Sequence, residues 1–404
     1  MVLHYSLYND TLTNMKTIPT INPSYDSKLT SVLFDLERLR YQDIEGSTAP
    51  WLFFDLKETM HLLESIASAR IEGNRTTLVS AVNDVIENEK TTKNESIKEI
   101  RNIRNGIKFI EDNIKNEGGI TLCFIRELHK IAVQELKDDG SKTPGKFRTE
   151  EVKINKSELE LPLYTEVPAL MQDLVDYINQ DNEPKLDIIK TAISHHRFTA
   201  IHPFDNGNGR TARLLTYAML AKQKFVDDHG MRLLNPSSVF CIDRQDYYNK
   251  LSMADTYSQK GLEGWCLYVA EGIQSEVRRV SMLLDKDFAV NKLLTPALKK
   301  AYADKYINDE EYAILRIAME KDVFQAQDIK HLFGTSASAS TQTSRVLANM
   351  REKKLIMVHP KYKKKYVIRF SNNYLLRGVL DQMDKNGLLP ITDEPNTLEV
   401  SKEI

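Results

Sequence analysis

Apolar residues recur at three- and four-residue steps along most of the chain, the spacing of amphipathic helices. From Lys28 the series is Leu29, Val32, Leu33, Leu36 and Leu39. After Pro50 it continues as Phe54, Leu56, Met60, Leu63 and Ile66. Further helices are predicted over 77–88, 96–114, 122–136, 167–178, 186–200, 209–222, 247–254 and 262–284. Residues 1–24 are polar and weakly periodic, which predicts an extended arm. The turn-rich stretch Asp138–Gly145 precedes a partly alternating run, Phe147–Ile154. Together with the segment ending at Pro162, that run predicts a small β-hairpin.

Near Leu294–Asp309 the pattern changes. Helices are predicted over 310–320, 326–333 and 340–353, with strands over 355–359 and 365–370 joined by Pro360–Lys364. Three helices followed by a strand pair is a winged helix-turn-helix order. The pattern therefore predicts a mainly α chain. Its divisions are an N-terminal helical region (1–110), a helical core (111–290), a winged helix-turn-helix (291–375) and a C-terminal tail (376–404).

Composition narrows the function classes. With 55 Lys+Arg against 57 Asp+Glu, the net charge is −2, which excludes a wholly basic nucleic-acid coat. Only 16 Gly and 13 Pro occur among 404 residues, in keeping with a helix-rich chain. Cys123, Cys241 and Cys266 are far apart and form no CxxC pair, so neither a zinc site nor a disulfide framework is expected. No basic n-region followed by an apolar run opens the chain, and no 18-residue apolar stretch occurs. The expectation is a cytoplasmic protein that does not enter a membrane.

The segment carrying the most chemistry is His202-Pro203-Phe204-Asp205-Asn206-Gly207-Asn208-Gly209-Arg210-Thr211-Ala212-Arg213. Gly207 and Gly209 permit a tight turn with backbone N–H groups directed inward, just where a helix begins. A helix N-terminus carries free N–H groups and a partial positive charge, which suits an anion. Arg210 and Arg213, three apart, share a helix face, and guanidinium forks grip phosphate oxygens. His202 stands at the loop entrance, where a neutral imidazole can accept a proton from an attacking hydroxyl.

The segment resembles the signature of the Fic (Fido) family, HPFx(D/E)GNGRxxR. The resemblance implies an all-α Fic core over roughly residues 25–290, with a β-hairpin flap. It also implies an enzyme, a protein adenylyltransferase moving AMP from ATP to a Ser, Thr or Tyr hydroxyl of a target protein. By that resemblance His202 is the base. Gly207, Asn208 and Gly209 would form the anion hole for the phosphates, Arg210 and Arg213 would hold the distal ones, and Thr211 counts among the nucleotide-binding residues. Where the family carries Asp or Glu for Mg2+, this chain has Asn206, an amide that can coordinate a cation but brings no charge.

Ser68-Ala69-Arg70-Ile71-Glu72-Gly73 resembles the family's inhibitory motif. It implies that Glu72, supported by Ser68, pairs with Arg213 in the place of the γ-phosphate. Tyr247 and Tyr248 resemble the segment beside the nucleotide base. The flap, with Ile154 and Asn155, would clamp the target by strand addition. Over 351–369 eight cationic residues face one acid, a net +7, and Ser338, Ser340, Thr341, Gln342 and Arg345 are placed to face a groove. A DNA-binding regulator with a weakened nucleotide-sensing core is therefore the rival to the enzyme, and removal of AMP is a third reading. Neither the target nor the oligomeric state is legible.

Overall fold

The computed structural model describes residues 18–41, 49–87, 92–114, 119–154, 159–226, 232–335 and 338–389. Most of them are helical, as the periodicity predicts. The chain divides into two units. One comprises residues 1–43, 61–76 and 92–278, the other 44–60, 77–91 and 279–404.

In chain order the first helices are α1 (Lys28–Tyr41), α2 (Pro50–Ile71), α3 (Leu78–Glu87), α4 (Glu95–Ile114), α5 (Leu122–Ala132) and α6 (Val167–Asn179). They are followed by α7 (Asp187–Ile201), α8 (Asn208–Lys222), α9 (Pro236–Cys241), α10 (Arg244–Ala254) and α11 (Gln259–Leu284). Local chemistry sets several of the boundaries. The Thr121 side chain accepts the Phe124 N–H at the start of α5, and Asp243 accepts the Asp246 N–H at the start of α10.

The first unit is built around α7 and α8, both buried along nearly their whole length. α8 packs on α7, α4 and α5. α4 supplies an isoleucine stripe, Ile97, Ile100, Ile103, Ile107 and Ile110, all buried. At Gly106 a Cβ would come within 2.8 Å of Leu214, so glycine lets α4 approach α8 closely.

The second unit holds α12 (Thr295–Ala303), α13 (Asp309–Lys321), β1 (Phe324–Gln325), α14 (Ala326–Ile329), α15 (Ala339–Glu352), β2 (Ile356–His359), β3 (Tyr362–Ile368) and α16 (Leu375–Lys385). Asn308 and Glu311 form a capping box that starts α13. The antiparallel sheet has the order β1-β3-β2, with Phe324 opposite Tyr366 and Ile356 opposite Ile368. In the same unit Asp55 of α2 is buried and accepts hydrogen bonds from Arg369 Nε (3.2 Å), Phe370 N (2.5 Å) and Ser371 Oγ (2.9 Å).

Three expectations are corrected, and two short elements are added. Tyr362–Lys364, read as loop, begin β3. Residues 376–385, read as tail, lie in the helix Leu375–Lys385, whose apolar face, including Leu376, Val379 and Met383, is buried. β1 and α9 are too short to register as periodic runs. The hairpin expected over 147–162 has no strand among its described residues, and Asn155 lies outside them. A single buried side chain ties that segment instead. Arg148 donates from Nη2 to Pro162 O (2.5 Å) and from Nη1 to Glu151 Oε2 (3.2 Å).

Candidate active site

His202 caps the C-terminus of α7 in the left-handed region, at φ 50°. Such a backbone is uncommon for a residue with a Cβ and must be held in place by its surroundings. The holding comes from Arg148, whose Nε donates to His202 O (3.0 Å) and whose N–H donates to Pro203 O (2.9 Å). His202 Nδ1 lies 3.3 Å from Thr199 O. A carbonyl can only accept, so the proton sits on Nδ1 and Nε2 keeps its lone pair. Loss of hydration pushes the imidazole down to about 4, with Arg148 adding to the shift and the Thr199 bond and Glu72 opposing it. The His202 imidazole is thus neutral at pH 7.

The loop after it is braced from several sides. Asn208 Nδ2 donates to Phe204 O and Asn208 Oδ1 accepts from Phe204 N, both at 2.9 Å. Phe204 stacks on His129 with ring centroids 3.7 Å apart. His129 Nδ1 accepts the Gly145 N–H (2.9 Å), which leaves Nε2 to donate to Asn206 O (3.0 Å). Gly207 has φ 74°, and a Cβ there would meet Val133 Cγ1 at 2.5 Å, so only glycine suits the turn. α8 starts directly after it. The first-turn N–H groups of a helix have no partner within the helix.

A carboxylate of the same chain lies against this helix start. A Cβ on Gly209 would be 2.1 Å from Glu72 Oε1. Arg213 Nη2 donates to Glu72 Oε1 (2.6 Å) and to Ser68 O (3.0 Å), and Arg213 Nε donates to Ser68 Oγ (2.8 Å). Glu72 follows the end of α2, where Gly73 at φ 102° turns the chain away. Burial pushes the Glu72 carboxyl up, but Arg213, with Arg210 and Arg244, outweighs it and holds Glu72 below its ordinary range. The Glu72 side chain keeps 34% exposure, whereas that of Arg213 keeps 2%, so the pair is screened from one side only.

The other predicted site residues divide. Arg210 is buried and bonds Asp139 O (2.6 Å), with Glu99 at 3.3 Å. Thr211, read as a nucleotide ligand, donates its hydroxyl to Gly207 O (2.8 Å) and is fully buried, so it braces the loop. Tyr247 is 2% exposed, donates to His195 Nε2 (2.9 Å) and packs on Phe240 and Trp265. It is a core residue, not a wall open to a ligand. Tyr248 is 40% exposed, with the Arg244 guanidinium over its ring. Ile154 is half-buried in the unpaired 147–154 segment.

Asn206 does not present itself to a metal. Its Nδ2 donates to Gly140 O (3.0 Å) and its Oδ1 accepts from Gly207 N (2.7 Å). Asp205 is likewise committed, to Ser141 Oγ (2.5 Å) and Lys142 N (2.8 Å). Among the described residues no group of three or more His, Cys, Asp or Glu could hold a metal ion. Asn206 and Asp205 thus both spend hydrogen bonds within the loop, and of the two only Asp205 could bring charge to a cation.

Sequence reasoning missed His129 and the anchoring part of Arg148. His129 carries a signal in hindsight. It falls on the apolar stripe of α5 with Ile125, Leu128 and Ala132, and a histidine on a buried stripe needs polar partners.

Residues 119–220 match the family model described as Fic/DOC family. Among curated proteins, the chain is 27% identical over 274 residues to protein adenylyltransferase fic-1 of Caenorhabditis briggsae, covering 65% of this chain and 49% of that one. It is 30% identical over 203 residues to protein adenylyltransferase Fic of Nematostella vectensis, covering 46% and 42%. The chain thus spans about half the length of the curated relatives it matches. Among solved structures, a Fic family protein from Desulfovibrio desulfuricans G20 superposes with TM-score 0.55 at 22% identity, covering 87% of this chain and 97% of that one. Fic-1 from C. elegans gives TM-score 0.50 at 22% identity, covering 62% and 71%. Residues 119–220 thus match a Fic/DOC domain, and the chain has the fold of these Fic family structures.

Proposed function

We propose that the protein is an adenylyltransferase that moves AMP from ATP to a hydroxyl of a protein target and is held back by its own Glu72. The name shared by the relatives supports the reaction class. One observation carries the inhibited reading, namely the Glu72 carboxylate bonded to Arg213 at 2.6 Å over the first turn of α8. A triphosphate would seek the same guanidinium and the same N–H groups, so it must compete with Glu72.

The target oxygen attacks the α-phosphorus, its proton passes to His202 Nε2, and the bond to the β-phosphate oxygen breaks as pyrophosphate leaves. The side chain of His202 needs no other base, because burial already keeps it neutral.

Incubation with α-labelled ATP tests the reading. Glu72→Gly should raise label on protein at least tenfold. Adding His202→Ala should remove it by about 10²–10⁴-fold, the range of general-base catalysis. No label from a folded Glu72→Gly protein would overturn the assignment.

The second unit favours an additional role in binding DNA. Lys361, Lys363, Lys364 and Lys365 are all exposed around the β2–β3 turn, and Ser340, Thr341, Gln342 and Arg345 are exposed on α15. Cationic side chains at a strand pair beside a polar helix face suit a duplex backbone and groove. Retention on DNA that falls steeply with salt would support this role, and salt-independent or absent retention would exclude it. No helix among the described residues is long and apolar enough to cross a membrane.

A further inference from the structure

Glu64 and Ser68, four apart, share one face of α2, and Glu72, the first residue past its end, continues the four-residue spacing. Ser68 and Glu72 meet Arg213. Glu64, one turn earlier, is 2% exposed and takes no part in the proposed reaction. Both of its oxygens accept the Ser237 N–H, Oε1 at 3.1 Å and Oε2 at 2.9 Å, and Oε1 also accepts the Ser237 hydroxyl at 2.5 Å. Ser237 lies at the start of α9, inside the same unit. A carboxyl is costly to bury, and a contact of this kind fixes a helix both along and around its axis. Eight residues of helix span about 12 Å, and a one-residue slip turns a side chain by roughly 100°. Such a slip would carry Glu72 away from Arg213.

We propose that Glu64 is a positioning residue for the inhibition: locked to Ser237, it seats α2 at the register where Ser68 and Glu72 reach Arg213. The inference rests on the adenylyltransferase reading for its effect on rate, but not for its effect on the helix.

The surroundings of Glu64 also give the seat a pH dependence. Arg213 faces it from α8, Glu276 from α11, and Cys241 from α9. Burial foremost, with the Glu276 carboxylate, pushes Glu64 up to about 8, against the Ser237 bonds and Arg213. The carboxyl is therefore neutral at pH 7. A group whose folded pKa is raised stabilises fully below its unfolded value, and that contribution is lost as pH rises through the folded one. The seat should weaken as pH rises from about 4.5 to about 8, where the released carboxyl is charged and the seated one is still protonated, and stay level above that.

The test compares the intact wild-type chain with Glu64→Leu, Glu64→Gln, Ser237→Ala and Glu72→Gly. Inhibition is read as the ratio of transfer by Glu72→Gly to transfer by each protein, and helix seating as amide exchange over residues 66–74. Glu64→Leu should cut the ratio about tenfold, the worth of the hydrogen bonds lost, and speed exchange over 66–74. Ser237→Ala should act in the same direction but less, and it serves if Glu64→Leu does not fold. Glu64→Gln, a neutral acceptor, should keep inhibition and hold it flat from about pH 5 to 9, while the wild-type ratio falls between about pH 5 and 8 and levels off above that. Unchanged exchange and an unchanged ratio in Glu64→Leu or Ser237→Ala would overturn the proposal. If Glu72→Gly itself transfers nothing, the adenylyltransferase reading fails, and exchange over 66–74 alone decides the role of Glu64.

Discussion

The molecule carries two concentrations of positive charge, and they are handled in opposite ways. At the start of α8, Arg210 and Arg213 are each 2% exposed, and each already faces a carboxylate of the same chain, Glu99 and Glu72. Around the β2–β3 turn, Lys361, Lys363, Lys364 and Lys365 stand in solvent. A guanidinium withdrawn from water interacts strongly and cannot be left without a partner. Such a site therefore comes with its own counter-charge, and an incoming anion has to displace it. Solvated ammonium groups interact weakly at any one point and are screened by salt within about 10 Å. On the proposed reading the first arrangement is a gated site, and the second a surface that would collect a polyanion through many small contacts.

Removing the buried cation should have the largest consequence. Arg213→Ala strands Ser68 and Glu72 and should cost about 3 kcal/mol by chemical denaturation. That is the low end for a broken buried pair, because Glu72 keeps 34% exposure. A loss below about 1 kcal/mol would mean that the pair is no more than a surface contact.

Next comes the response to pH. A base that must be neutral fails as pH falls through its folded pKa. For the Glu72→Gly protein, kcat/KM for transfer should therefore stay level from pH 7 to 5 and drop near pH 4, His202 having been pushed down to about 4. An acid limb near 6.5 would show that the imidazole is freely hydrated.

The smallest effect on stability is expected at the other cationic region. Replacing Lys363, Lys364 and Lys365 together by Glu should change unfolding free energy by no more than about 0.5 kcal/mol. The same change should abolish retention on DNA at low salt. A large loss of stability would show that those lysines belong to the fold and would end the contrast.

Much of this organisation was legible before any coordinates. The isoleucine stripe of α4 announces a helix with one buried face, and that is what 95–114 forms. The 202–213 segment announces a tight glycine turn opening a helix, and Gly207 at φ 74° with α8 starting at Asn208 bears it out. The resemblance of Ser68–Gly73 to the family's inhibitory motif implies a Glu72–Arg213 pair, and the two side chains lie 2.6 Å apart. What was not legible depends on partners far along the chain. Thr211 looks like a ligand until its hydroxyl is found on Gly207 O. Tyr247 and Tyr248 are adjacent and chemically alike, yet one is core and the other exposed. Alternation over 147–154 suggested a strand, but an extended run becomes one only when a second run pairs with it.

By itself the sequence determined the helices, the glycine turn and the residue types able to grip an anion and accept a proton. These follow from period and from backbone sterics, which act within a few residues. Tertiary structure alone decided that Glu99 faces Arg210, that Arg148 steadies His202, that His129 props the loop, and that Glu64 meets Ser237. A helical period says which side of a helix is buried. Only the packing of helices distant in sequence says what each buried group will find there.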